Sequence, residues 1–227
     1  MPLVSVLLPS IRETLVKEAL EELSEAEPNL DYEVLVASPF YVTGPRVVWV
    51  SEHTFLGPTI AAYYAYKYST GKYIVTWAED LCLTEYCITD TLKLLQDRES
   101  TAVAFNLPSN SHFYIYNLLY ARWGIYPKEL LERAGGFVHS CFRYDWGDAD
   151  LGLRIHEVGG SIVPGPINSY IDTKPEILSS SLELRGSLFI SSTEEFLDRW
   201  HSKYGGDIPR EEVFRDLTCI NVGKETF

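Results

Sequence analysis

The sequence predicts an α/β fold, with a mostly parallel central sheet flanked by helices and a helical extension at its C-terminal end. Three observations predict it. Short apolar runs alternate with amphipathic segments between Val4 and Trp77. The connections between them are short and carry Gly, Pro or Ser, as in βαβ units. The composition is globular, with 227 residues, 46% hydrophobic and 22% charged, within the size of about 250 residues that one core can reach.

Each element has its own signal. Val4 to Leu8 is a buried-strand run ending at Pro9-Ser10. Leu15, Ala19, Leu20 and Leu23 recur at helical spacing until Pro28, and Ser10 with Glu13 reads as a capping box. Tyr32 to Val36 and Val47 to Val50 are strands. Gly57-Pro58 opens a helix carrying Ile60, Ala61, Tyr64, Ala65 and Tyr68, and Thr70-Gly71 ends it before a strand from Tyr73 to Trp77. Thr84 is expected to cap a helix with Ile88, Leu92 and Leu95 inward, followed by a strand from Ala102 to Asn106. Lys128 to Ala134 is a short helix stopped by Gly135-Gly136. A helix from Asp148 to Val158 presents Leu151, Ile155 and Val158 on one face and precedes a strand from Ser161 to Val163. Ser192 to Glu195 reads as a capping box before Phe196, Leu197 and Trp200. Residues 1–175 are expected to form the main domain, and 176–227 an extension packed on it.

Composition also excludes. The 32 acidic and 19 basic side chains give a net charge of −13, which repels phosphate backbones and argues against nucleic-acid partners. No apolar run is long enough to span a bilayer. The N-terminus has neither a basic region nor a long apolar region, so no signal peptide is expected. Cys82, Cys87, Cys141 and Cys219 are scattered without a CxxC pair, which suits a reducing compartment, and a cytoplasmic location is expected. His53, His112, His139, His156 and His201 lack ligand spacing, and there is no GxSxG, P-loop or GxGxxG.

Ligands of open parallel sheets bind at the carboxyl ends of strands, and three clusters fall there. Pro9-Ser10-Ile11-Arg12-Glu13 is either a helix cap or a loop that contacts an anion. Trp77-Ala78-Glu79-Asp80 is either an acidic turn or a pair of carboxylates for a hard divalent ion that also takes phosphate oxygens. Tyr144-Asp145-Trp146-Gly147-Asp148-Ala149-Asp150 places three carboxylates at the start of a helix. Asp148 is its N-cap or, in the functional alternative, a general base placed by a Trp-Gly loop able to pack on a sugar ring, and Asp150 and Arg154 are spaced for a structural ion pair. Phe113, Tyr114, Tyr116 and Trp123 line an acceptor cleft or belong to the core.

In this order the motifs resemble the GT-A-fold glycosyltransferases, most closely the family 2 type. "VSVLLPSIRETLVKEALEEL" is similar to that family's opening strand, loop and helix, and "GPTIAAYYAYKYSTGKYIVTWAED" to the segment leading into its acidic metal motif. "GIYPKELLERAGGF" and "WGDADLGLRIHEVGGSIV" resemble its acceptor-side and catalytic segments, and "FLDRWHSKYGG" a closing motif, weakly. The resemblance covers roughly residues 3–165. It implies a GT-A, Rossmann-like sheet with Asp80 as the metal-binding Asp and Glu79 as the middle residue of the DXD motif. It also implies Asp148 as the catalytic base. Pro9, Ser10, Arg12, Ser38, Gly57, Ala78 and Glu79 would lie on the donor side, Asp145, Trp146 and Gly147 on the acceptor side, and Asp172 near a further metal ligand. Four departures stand out. Ala78 replaces the first Asp of DXD, Gly147 the Glu before the base, Ala37-Ser38 an Asp that reads the nucleobase, and Ile11-Arg12 a frequent aromatic-Asn pair.

The resemblance implies an inverting glycosyltransferase assisted by Mn²⁺ or Mg²⁺. Its donor would be a nucleotide diphosphate sugar and its acceptor a hydroxyl on a glycan, a lipid-linked or a protein-linked group. Ala78 and Gly147 keep a non-catalytic nucleotide-sugar or glycan-binding module open. A sugar nucleotidyltransferase ranks lower, because the first loop lacks glycines.

Overall fold

The computed structural model describes residues 1–52, 57–107, 111–139, 141–142, 146–166, 171–173, 182–208, 210, 213 and 220–221. The elements are β1 (Val4–Pro9), α1 (Glu13–Ala26), β2 (Tyr32–Ser38), β3 (Val47–Ser51), α2 (Pro58–Tyr68), β4 (Tyr73–Thr76), β5 (Leu81–Leu83), α3 (Cys87–Leu94) and β6 (Thr101–Ala104). They continue with β7 (Ser111–Ile115), β8 (Leu118–Tyr120), β9 (Gly124–Pro127), α4 (Lys128–Arg133), α5 (Gly147–Glu157), β10 (Ser161–Pro164), β11 (Ile171–Thr173), α6 (Leu182–Tyr204) and β12 (Ile220–Asn221).

Seven strands form the central sheet in the order β10-β6-β9-β4-β1-β2-β3. All pairs in it are parallel except the two made by β9, which runs antiparallel to β4 and β6. The sheet is therefore mostly parallel, as the alternating pattern predicts. The antiparallel insertion of β9 has no counterpart in that pattern.

Alternation along the strands sorts the core into two layers. Val4, Val6 and Leu8 of β1 face Val16, Ala19 and Leu23 of α1 and Ile88 of α3. Leu7 points the other way, with Leu35 and Ile74, toward Ala61 and Ala65 of α2, Leu130 and Leu131 of α4, and Leu151 and Ile155 of α5. A third cluster seats α6, where Phe196, Leu197 and Trp200 pack on Ile115, Tyr120, Trp146, Ala149 and Leu153.

Several expected caps are replaced by tertiary contacts. The residue before α1 is Arg12, which makes no side-chain cap, so Ser10 and Glu13 do not form a capping box. Thr84 does not cap α3. Tyr86 occupies that position, and the distant Glu27 carboxylate accepts from Ile88 N at 2.5 Å and Thr89 N at 3.3 Å. The Ser192 to Glu195 box is not a helix start, because α6 already runs through it from Leu182. Val158 is 38% exposed rather than inward. The α5 helix is instead buried on two sides, between the sheet and α6, by Leu151 and Ile155 on one and Ala149 and Leu153 on the other.

Candidate active site

The parallel register brings the first two clusters together. Pairing of β1 with β4 ends at Leu7↔Thr76, and Trp77 N donates to Leu7 O at 3.2 Å. The Pro9–Arg12 loop therefore leaves the sheet beside Ala78-Glu79-Asp80. Glu79 Oε1 accepts from Ser10 Oγ at 2.9 Å and from Arg12 Nε at 2.8 Å, with Arg12 Nη2 also at 2.8 Å. Arg12 Nη2 reaches Asp80 Oδ2 at 3.3 Å. Ser10 Oγ also accepts from Arg12 N at 2.9 Å, so the hydroxyl shapes the loop rather than capping the helix. Burial acts to lower the Arg12 pKa, but the Glu79 and Asp80 carboxylates outweigh it and the pKa is raised.

The two neighbouring carboxylates differ. The Glu79 side chain is 6% exposed and committed to Ser10 and Arg12, whereas that of Asp80 is 40% exposed. Ala78 packs against the α1-side core. Pro9 ends β1 opposite Ala37. Ser38 is buried and gives its hydroxyl to Phe40 O at 2.6 Å, while its carbonyl accepts from Glu52 N at 3.0 Å. Gly57 precedes α2 at φ 98°, a conformation that favours glycine, and its carbonyl accepts from Ala61 N at 3.0 Å.

The third cluster is placed by α5. Its preceding residue is Trp146, not Asp148, and Trp146 holds the left-handed region at φ 61°. Such a conformation is strained for a bulky residue. It is held in place by the Trp146 indole, which packs at a tilt against Phe196 and donates to Thr193 Oγ1 at 2.9 Å. Trp146 is 4% exposed, so its ring is occupied by α6. A Cβ at Gly147 would meet Thr59 Cγ2 at 2.5 Å, so the start of α2 docks on this glycine and leaves no room for a larger residue. Asp148 is half-buried in the first turn, and its Oδ1 accepts from Ala149 N at 2.9 Å.

Asp148 also acts on Tyr126 of β9. Burial, and then the Asp148 charge, raise the Tyr126 pKa, and the Tyr126 hydroxyl hydrogen-bonds to Ala121 O and Thr76. Thr76 ends β4, four residues before Asp80. The Asp148 charge is thus felt at Tyr126, whose hydroxyl reaches Thr76 at the carboxyl end of β4, the strand that precedes the acidic pair. The sequence gives no sign of this link, because Tyr126 lies in a strand of only four residues.

Asp150 is buried and structural. It meets Arg154 Nε at 2.8 Å, Trp200 Nε1 at 2.9 Å and Arg199 Nε at 3.3 Å. His156 contacts Leu119 O at 3.1 Å. Tyr116 stacks on Phe196 and Tyr204, and Trp123 packs against the α1-side core, with Phe113 beside it. Asp145 and His53 lie outside the described residues. The backbone of Asp172 pairs with Cys82, and Thr173 with Leu81, in a two-stranded antiparallel sheet of β11 and β5, so residue 172 runs alongside the chain that follows Asp80.

Among the described residues, no group of three or more His, Cys, Asp or Glu is gathered to hold a metal ion. Hard divalent ions at phosphate sites commonly take one or two carboxylates and draw their other oxygens from substrate and water. Half-exposed Asp80 fits that role as a single carboxylate, and buried Glu79 does not. No helix among the described residues is long and apolar enough to cross a membrane.

No protein-family model matches the sequence, and no curated protein matches it. Solved structures do. A mannosyltransferase, PcManGT from Pyrobaculum calidifontis in complex with GDP-Man and Mn²⁺, superposes with a TM-score of 0.66 at 17% identity over 87% of this chain. Two structures of S. aureus TarS superpose at 0.60 and 0.56, with 17% and 16% identity over 92% and 90% of this chain. The chain spans 64% of the mannosyltransferase and 46% and 73% of the two TarS chains. At such identities the likeness is one of fold, and the chain has a GT-A-like glycosyltransferase fold.

Proposed function

We propose that this chain is an inverting glycosyltransferase that moves a sugar from a nucleotide diphosphate sugar to a hydroxyl of a glycan, lipid-linked or protein-linked acceptor, with Mn²⁺ or Mg²⁺ assisting. The observation that carries the reading is the cluster at the carboxyl edge of the sheet. Ser10 and Arg12 there hold Glu79 and leave the neighbouring Asp80 half-exposed. The fold is shared with a mannosyltransferase whose structure contains GDP-Man and Mn²⁺, which supports the donor and ion classes.

Asp80 would hold the ion, with Asp172 as a candidate second ligand. A bound divalent ion supplies Lewis-acid neutralisation of charge on a diphosphate leaving group. Pro9, Ser10, Arg12, Ser38, Gly57, Ala78 and Glu79 form the donor side of this reading. Ser10 and Glu79 shape the loop, and Arg12 brings a guanidinium to where the diphosphate would lie. Asp148 is the general base that takes the proton from the acceptor hydroxyl as the oxygen attacks the anomeric carbon. The transition state has oxocarbenium character, as in glycosidases. Asp145 and Gly147 would belong to the acceptor side, and Trp146 anchors the start of α5. Residues 1–175 then form the catalytic unit, and 176–227 its extension.

The test combines binding with turnover. Nucleotide sugars with Mn²⁺ should raise the melting temperature of the native chain. Asp148→Asn should bind the same donor in calorimetry and lose transfer by about 10²–10⁴-fold, the usual contribution of a general base. Transfer by Asp148→Asn at the wild-type rate removes Asp148 from the reaction. Donor binding by wild type with neither transfer nor donor hydrolysis makes the chain a binding module.

A further inference from the structure

We propose that Arg12 is a resident counter-ion that makes divalent-metal binding at Asp80 depend on the donor diphosphate. This rests on the metal reading of Asp80 above and adds to it a positioning role for Arg12. The guanidinium bridges both acidic residues, at 2.8 Å from Glu79 Oε1 and 3.3 Å from Asp80 Oδ2. Ser10 Oγ donates to the same Glu79 Oε1 at 2.9 Å, and the Glu79 side chain is 6% exposed, so the arrangement is built between two loops rather than by a mobile surface pair. Arg12 is itself 31% exposed in its side chain and contacts the more exposed of the two carboxylates.

The charges show what this does. Two carboxylates and one guanidinium sum to −1. A divalent ion arriving alone would turn the cluster to +1, with a like charge against the carboxylate it binds. If the ion arrives with a diphosphate, the phosphate charges face both cations, and the guanidinium adds to the attraction instead of opposing it. Arg12 therefore disfavours the bare ion and favours the ion–donor pair. Without Arg12 the two carboxylates and the ion would balance, and the bare ion would bind more readily. Because such coupling is reciprocal, the ion should tighten donor binding by the same factor as the donor tightens ion binding.

The experiment is a Mn²⁺ titration of the full chain followed by electron paramagnetic resonance, with Mn²⁺ alone and with saturating GDP-mannose or UDP-glucose. The proteins are wild type, Arg12→Gln, Arg12→Met and Arg12→Lys, each checked for folding by circular dichroism. The neutral variants should bind Mn²⁺ alone about tenfold more tightly than wild type, within the usual range of coupling factors. The donor should tighten Mn²⁺ binding less in the neutral variants than in wild type, and Arg12→Lys should behave like wild type. A merely structural Arg12 predicts the opposite, with looser Mn²⁺ binding in all three variants. Neutral variants that bind bare Mn²⁺ no more tightly than wild type overturn the proposal, while donor-dependent Mn²⁺ binding by wild type leaves the metal reading standing. Wild type that binds no Mn²⁺ with either nucleotide sugar overturns both.

Discussion

Glu79→Gln should destabilise the chain by about 2–3 kcal/mol, although the residue stands at the edge of the candidate active site. Its carboxylate is nearly enclosed and accepts from Ser10 Oγ and from Arg12 Nε and Nη2 at 2.8–2.9 Å. Removing one partner of a fully buried ion pair costs about 3–5 kcal/mol. Arg12 is 31% exposed and retains Asp80, so part of its charge returns to water and the loss falls below that range. Gln keeps an oxygen for Ser10 but loses the charge. For a chain of this length each kcal/mol lowers the melting temperature by about 2–4 °C, which gives a fall of about 4–12 °C. The matched control is Asp80→Asn. That carboxylate is 40% exposed and its contact is 3.3 Å, so the change should cost less than about 1 kcal/mol. Calorimetric melting of the three proteins, with urea titration to check that the m-value is unchanged, measures the difference. A Glu79→Gln melting point within about 2 °C of wild type would mean that the Glu79 charge is not held as a buried ion pair. So would an Asp80→Asn loss of the same size, because burial is what separates the two adjacent acids.

Other perturbations test the supporting contacts. Gly147→Ala places a Cβ 2.5 Å from Thr59 Cγ2 and should destabilise by about 1–3 kcal/mol as overpacking. Adding Thr59→Ser, which removes that methyl, should restore most of the loss, and a double mutant no more stable than Gly147→Ala would place the strain elsewhere. Burial raises the Glu27 pKa against the opposing pull of its hydrogen bonds to Thr89 and Ile88. Its charged form is therefore disfavoured in the folded chain. The stabilisation is complete below the ordinary carboxylate value of about 4.3 and fades as pH rises through the raised value. The stability of wild type relative to Glu27→Gln, measured by urea unfolding from pH 4 to pH 8, should fall with rising pH and then level off. A difference that is flat or grows with pH contradicts the burial argument.

Much of the sheet was legible because it rests on local pattern. Val4 to Leu8, Tyr32 to Val36 and Val47 to Val50 are apolar runs bounded by turn residues, and each lies within a strand. Pro58 marked the start of α2, and Gly135-Gly136 the end of α4. The β9 strand was not legible, since four residues with Gly124 and Pro127 at the ends carry no periodicity, and its place depends on β4 and β6 flanking it. The hairpin of β7 and β8 was missed for the same reason, its strands being five and three residues long. Caps failed where a distant side chain took the role, as Glu27 does for α3.

What the sequence determined by itself was the order of those strands and helices long enough to carry a local pattern, and the chemical types at their ends: a Ser and an Arg after the first strand, a Glu-Asp pair after the fourth, and an Asp at the start of a later helix. These are short-range properties, set by periodicity, turn chemistry and side-chain type. Tertiary structure alone decided which of those groups are spent and which remain open. Glu79 and Asp80 are neighbours in sequence, yet one is enclosed by a loop 67 residues away and the other faces outward. Trp146, which looked able to receive a sugar, is covered by α6. Burial and partner choice depend on segments that meet only when the sheet assembles, so no local window of the sequence contains them.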